Sequence, residues 1–466
     1  MQALNNFFNT MGSTVILPVF IFVIAVAFGV KAKQAFRSAL LIGIALAGIN
    51  MLVSYFTNAI SPAVNLMVEN SHVNLPYLDV GWGAAAAIAY STRVGLLIIP
   101  LAIGVNLVAL IFRLTDTLNI DIWNYWHYAF IGGLTTAFTG NLWLGFLSAI
   151  ILELFSLFFA DWIQPSANQY YHYEGITFTT ISSVEYIPWA IGINWILDKL
   201  GLDKVRLDPE TIKKRMGFFG EPAFLGLVVG LIIGFLAFWR QLNTLAGWAS
   251  LIAGVAISVA TFMYIFPMMP RILMEGLVPI SEGVREMFNR RNIKRQINLG
   301  MDTALCVGET ATLSTALILI PIALGLSFIL PYNRFLWVAD LTGFPWFVTM
   351  ITAVTHGNIL KNIIIGGSYL FVGDLIITKL TPVFTQAAIA ASWSIPAGVE
   401  GINAGSEGIS WLHYTIYNAM NNPFTVILLI VIYALVVLLF KRHRDSWYKA
   451  AGYIPEEADA SVSQQN

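Results

Sequence analysis

HYEGITFTTISSVEY (His172–Tyr186) and GSEGISWLHYTIY (Gly405–Tyr417) are the two stretches whose reading decides the fold. Each carries Glu-Gly-Ile followed by hydroxyls and aromatics, and each is too broken by Gly and polar residues to form a membrane-crossing helix. Everything around them is apolar. Hydrophobic residues make up 57% of the 466-residue chain and charged residues 11%, against roughly 25% charged in soluble domains. A soluble enzyme is excluded by that pattern, and a bilayer is the fitting solvent.

A helix crossing the hydrocarbon needs about 20 apolar residues. Eleven candidate spans follow: 13–30, 38–58, 84–112, 124–139, 141–160, 220–238, 247–266, 303–330, 337–354, 362–380 and 424–440. An odd number places the termini on opposite sides. With the N-terminus outside, all 25 Lys and Arg residues except Arg93, Arg240, Arg334 and Lys379 fall on cytoplasmic segments, as the positive-inside rule requires. The first basic residues, Lys31 and Lys33, follow the first apolar run, the wrong order for a cleaved signal peptide. The fold class expected is an all-α polytopic membrane protein. The stretches 172–192 and 403–420 are read as re-entrant hairpins, because irregular backbone at membrane depth survives only where protein or water satisfies it.

The two halves align in order. Asp79 pairs with Asp302, Pro100 with Pro321, Gly140-Asn141 with Gly357-Asn358, and Glu174-Gly175-Ile176 with Glu407-Gly408-Ile409, at offsets between 217 and 233 residues. Each half holds five spans and a hairpin, so the second repeat is inverted against the first. The expected organisation is a first repeat over 1–197, a cytoplasmic connector over 198–219, a second repeat over 220–420, a last transmembrane helix over 421–452, and a disordered cytoplasmic tail over 453–466. Inverted repeats with broken segments at matching places mark a transporter with its substrate at the repeat interface.

Ionisable groups inside a membrane are costly and each is a site candidate. Asp302 and Asp79 can accept hydrogen bonds from neighbouring hydroxyls of a polyol, or can be helix caps. Glu309, two turns into its span, is a candidate ligand or a partner of Arg93. Glu174 and Glu407 open the hairpins, where they bind solute or accept the hairpin's free N–H groups. Thr177, Thr179, Thr180, Ser182 and Ser183 make a hydroxyl-rich tip, mirrored by Ser410 and Trp411. His356, Asn358 and Asn141 are further candidates at span ends, and His127 is read as a core histidine. The basic amphipathic stretch 267–297 is expected on the cytoplasmic membrane face, against lipid or a partner. No phosphate loop, zinc motif or nucleophile elbow occurs, so no catalytic centre, metal site or cofactor is expected. The net charge of −1 gives no reason to expect nucleic acid as a partner.

DVGWG at 79–83, NIDIWNYWH at 119–127, FFGEP at 218–222, MDTALCVGETA at 301–311 and the Gly-Asn at 357–358 resemble the galactitol-type enzyme IIC of the bacterial phosphotransferase system, grouped with the ascorbate-type permeases. The resemblance implies a homodimer in the bacterial inner membrane, with a static scaffold and a core that moves as an elevator. It implies a sugar-alcohol substrate, phosphorylated on arrival by a separate cytoplasmic phospho-IIB protein charged through IIA. Cys306, the only cysteine, lies inside a span, so the IIB part is not in this chain. Thr179-Thr180-Ile181 stands where such permeases often carry Pro-His-Gly, and Glu309 where they often carry His, which leaves the polyol open. The rival reading is an ion-coupled secondary transporter using Asp79, Asp302 and Glu309.

Overall fold

The computed structural model describes residues 29–71, 75–205, 222–241, 244–266, 295–395 and 399–455, with residue 207 and scattered positions in 18–26 and 268–286. Half of the expected span 13–30, most of the connector 198–219, most of the amphipathic stretch 267–297 and the tail beyond 455 lie outside the described residues.

The apolar runs fold as helices. Among the described residues, Leu142–Tyr171, Thr310–Ile329, Ile359–Ala390 and Pro423–Arg442 are long and apolar enough to cross a membrane. The expected span 84–112 is instead two helices, Gly81–Ser91 and Ile98–Ile111, the whole bent by 83°. Thr92 makes the break: its hydroxyl takes the carbonyl of Ala89 at 2.7 Å and receives the N–H of Gly95 at 3.0 Å, diverting both groups from the helical ladder.

Three helices form one body. Pro222–Phe238 lies on Leu245–Ile265, and Ala32–Ser71 packs on both. The seam is a row of glycines at every fourth position. A Cβ on Gly226, Gly230 or Gly234 would come within 2.9, 2.5 and 3.1 Å of the Cα of Ala260, Ala256 and Ile252. Small residues at this spacing let helix backbones approach closely in lipid.

The rest is organised by two small sheets. The order strand, helix, strand, helix pair, strand, helical turn, helix occurs twice, the first strand–strand connection being bent in the first half. It runs through β1 (Tyr77–Asp79), β2 (Thr117–Asn119) and β3 (Ile176–Phe178), then again through β4 (Asn298–Met301), β5 (Phe335–Leu336) and β6 (Gly401–Asn403). The strands do not stay with their own half. β1 sits between β5 and β6, and β4 between β2 and β3, all parallel.

The registers correct the alignment of the halves. Ile176 lies opposite Leu299 and Ile402 opposite Leu78. The counterpart of Glu174-Gly175-Ile176 is therefore Glu400-Gly401-Ile402 and not the tripeptide at 407. The second half carries the tripeptide twice, and only strand pairing distinguishes the copies. Leu78 likewise answers to Leu299, so Asp302 lies two residues further past its sheet than Asp79 does.

Both polar stretches become a strand, a turn of helix and a helix. Residues 175–187 and 401–410 are buried throughout, their N–H and C=O groups held by parallel pairing and by the turns Ile181–Val184 and Gly405–Gly408. At the C-terminus, Arg444–Ala450 folds back after Pro423–Arg442. Trp447 packs on Trp162 with ring centroids 4.6 Å apart, and Gln169 exchanges two hydrogen bonds with the backbone of Ile454.

Candidate functional site

Parallel strands end together, and their ends gather polar side chains beyond the sheet. At the ends of β2, β4 and β3 stand Asp121, Asp302 and Thr180. The Thr180 hydroxyl lies 3.3 Å from Asp121 Oδ2 and 3.4 Å from Asp302 Oδ1, and accepts the N–H of Thr303 at 3.1 Å. Asn124 donates to Asp121 Oδ2 at 2.8 Å. Asp302 Oδ1 also accepts from the N–H of Ala304 at 2.8 Å and the indole of Trp346 at 3.1 Å. Among the described residues every hydrogen bond to Asp302 falls on Oδ1, so Oδ2 is the oxygen left for a solute. Thr179 stands just behind, donating to Asn119 Oδ1 at 3.0 Å. The arrangement offers two carboxylates, an amide and a hydroxyl, which suits the vicinal hydroxyls of a polyol.

The matching ends of β5, β1 and β6 are closed. Asp79 accepts Gly81 N–H at 3.0 Å on Oδ1, and Val338 and Asp340 N–H at 3.0 and 2.8 Å on Oδ2. Asp340 in turn holds the N–H groups of Trp82 at 2.6 Å and Ser406 at 2.8 Å. Asp79, a ligand candidate beside Asp302 in the sequence, is here a clamp on backbone N–H groups, on the other sheet from the Asp302 cluster.

The two hairpins touch each other. Ser410 donates to Glu185 Oε2, Tyr369 to Glu185 Oε1 at 3.4 Å, and the Trp411 indole to the Glu185 carbonyl at 2.9 Å. Ser410 also caps its helix, accepting the N–H of His413 at 3.0 Å. Glu407 is held by His127, whose Nδ1 is 2.6 Å from Oε1, and lies against His413, whose Nε2 is 3.2 Å from Oε2 but outside hydrogen-bond geometry. His127 is thus a core histidine with a carboxylate partner.

The remaining candidates lie elsewhere. Glu309 does not sit two turns into a span: the helix begins at Thr310, and Glu309 caps it, accepting Ala311 and Thr312 N–H at 2.9 Å each. Arg93 is exposed and is not its partner. Glu174 is exposed ahead of β3. Ser182 is buried within its helical turn, and Thr177 donates to the Ala160 carbonyl at 2.6 Å. Ser183 lies 2.6 Å from the Thr303 hydroxyl. Asn141 and Asn358 are N-caps following glycines with φ of 67° and 76°, so the repeated Gly-Asn is a helix-to-helix turn. His356, in the turn before Asn358, contacts the Gly452 carbonyl through Nε2, and burial pushes its pKa down.

Asp121, Asn124, Glu185, Asp340 and Trp346 were not singled out by the sequence reading. A signal for two of them was present. Asp121 and Asp340 each precede an aromatic-rich helix, and their separation falls in the window of the other repeat pairs. Among the described residues no group of His, Cys, Asp and Glu is placed to hold a metal ion.

Comparison with known proteins matches residues 6–398 to the EIIC-GAT family, described as the PTS system sugar-specific permease component. A chain of Escherichia coli strain K12 that carries the name permease IIC component is 34% identical over 94% of this chain and 99% of its own length. The PTS system galactitol-specific EIIC component of the same strain is 31% identical over 96% of both chains, and that of Escherichia coli O157:H7 matches to the same extent.

Proposed function

The chain belongs to the EIIC-GAT family of sugar-specific permease components of the phosphotransferase system, and on that premise we propose that it carries a galactitol-like sugar alcohol, gripped by Asp302, Asp121, Thr180 and Asn124. It is a multi-pass protein of the bacterial inner membrane. The observation that supports the substrate site is the polar cluster at the ends of β2, β4 and β3. There Asp302 keeps one oxygen free of protein donors, while the matching carboxylates at the other sheet are filled by backbone. A neutral polyol needs acceptors for its hydroxyls and no countercharge, which this cluster supplies.

In this reading the chain crosses the membrane eleven times with its N-terminus outside, and its halves are inverted repeats. The three-helix body of Ala32–Ser71, Pro222–Phe238 and Leu245–Ile265 is the scaffold, paired with a second copy in a homodimer. The sheets and hairpins form the moving core. The polyol is phosphorylated by phospho-IIB at the cytoplasmic side, and the added charge prevents return. The test is uptake in vesicles. Asp302→Asn is expected to lower uptake at least a hundredfold with the protein still folded and dimeric. Wild-type uptake that follows a proton gradient, and not phosphoenolpyruvate with the carrier proteins, would replace this reading with ion-coupled transport.

A further inference from the structure

Trp346 touches three parts of the molecule at once. Its indole N–H donates to Asp302 Oδ1 at 3.1 Å. Its carbonyl accepts the hydroxyl of Ser183, from the first hairpin's turn, at 2.8 Å. Its ring meets Phe266, at the end of the three-helix body, edge to face at 6.3 Å and 74°. Phe266 is backed in turn by Phe262 at 4.6 Å and Phe262 by Phe56 at 4.5 Å. The indole is only partly buried. His127, six residues past Asp121 as Trp346 is six past Asp340, is buried and committed to Glu407.

We propose that Trp346 is a positioning and selectivity residue: its N–H fixes Asp302 so that Oδ2 alone faces the solute, and its ring walls the site against one face of the polyol chain. This rests on the polyol reading above. An indole face accepts C–H edges and offers no acceptor to a hydroxyl, and a hydroxyl forced against it loses its hydrogen bond to water without replacement. Hexitol stereoisomers differ only in which face each hydroxyl takes, so the wall discriminates among them. Phe266 holds the ring from the other body, so the wall moves when the two bodies move apart.

The test uses full-length protein in lipid nanodiscs. Galactitol, D-glucitol and D-mannitol are titrated onto wild type, and the tightest binder and its weakest-binding stereoisomer become the probes. Trp346→Phe keeps a ring against Phe266 and removes the N–H. It is expected to weaken binding of the tightest probe about tenfold, the scale of one hydrogen bond to a charged group, and to lower the ratio of the two affinities. In uptake the same change raises KM far more than it lowers the maximal rate. Trp346→His restores a ring N–H but shrinks the wall: affinity for the better probe recovers and the ratio stays low. Affinity and ratio unchanged in Trp346→Phe, with binding lost in Asp302→Asn, would overturn the role of Trp346 and leave the polyol reading intact. A failure of all three hexitols to bind wild type would overturn both. Should Trp346→Phe not fold, an unchanged ratio in Trp346→His overturns the proposal alone.

Discussion

A single hydroxyl, that of Thr180, stands between two carboxylates, while the carboxylates at the opposite sheet hold only backbone N–H groups. The two kinds of aspartate are expected to fail differently. Asp121→Asn keeps shape and replaces an acceptor oxygen by an amide donor, so polyol affinity falls while thermal stability changes little. Asp79→Ala strands three buried N–H groups, each costing about 1–3 kcal/mol. Its signature is a loss of folded protein, read as a lower unfolding temperature and poor yield in detergent. A stable Asp79→Ala protein with lost binding would instead make Asp79 a ligand. The residues that sequence legibly marked, Asp302 and Thr180, were marked by type: carboxylate and hydroxyl beside a broken span. Asp121 was passed over by that rule because it lies just ahead of the expected span 124–139, in a stretch quoted only for its family resemblance. Asp79 was over-read because its neighbours in space, Val338 and Asp340, are far away in sequence.

At the scale of elements, hydropathy located the helices because lipid and core demand the same apolar surface. Residues 142–160, 362–380 and 424–440 all lie within observed helices, two of which extend well beyond the expected span. It missed the break at Thr92, since a threonine that diverts a carbonyl leaves mean hydropathy unchanged. It also missed every strand, because strands of two to four residues show no periodicity. The glycine seam gives the element-scale prediction. Gly230→Leu places a branched side chain where a single Cβ already comes within 2.5 Å of Ala256 Cα. Overpacking of this kind costs about 1–3 kcal/mol or more. Gly254→Leu, on the same helix pair but with open space around its Cβ, is the control. Cysteine cross-linking across the pair is expected to fall for the first change and persist for the second.

For the whole molecule, the exchange of leading strands means that neither half owns a complete sheet. Residues 1–206 and 207–466 produced separately are expected to be degraded or aggregated, and to recover a folded, co-purifying pair when produced together. A first half that is stable on its own would show that β1 and the site at β2–β4–β3 do not depend on the exchange. A recurring order was hinted at in sequence by the Gly-Asn pair, which makes the same helix-to-helix turn twice, but the exchange was not. Text alignment compares the halves with each other and carries no information on which strand lies next to which.

That exchange also sets a timetable for biogenesis. At about 5–20 residues per second, roughly 16–65 s pass between the emergence of β1 and that of β6, its neighbour. Throughout that interval the newborn chain exposes a naked strand edge and unclosed polar turns while its early helices are already entering lipid. Until β6 arrives, that edge of β1 has no neighbour in its own chain to pair with.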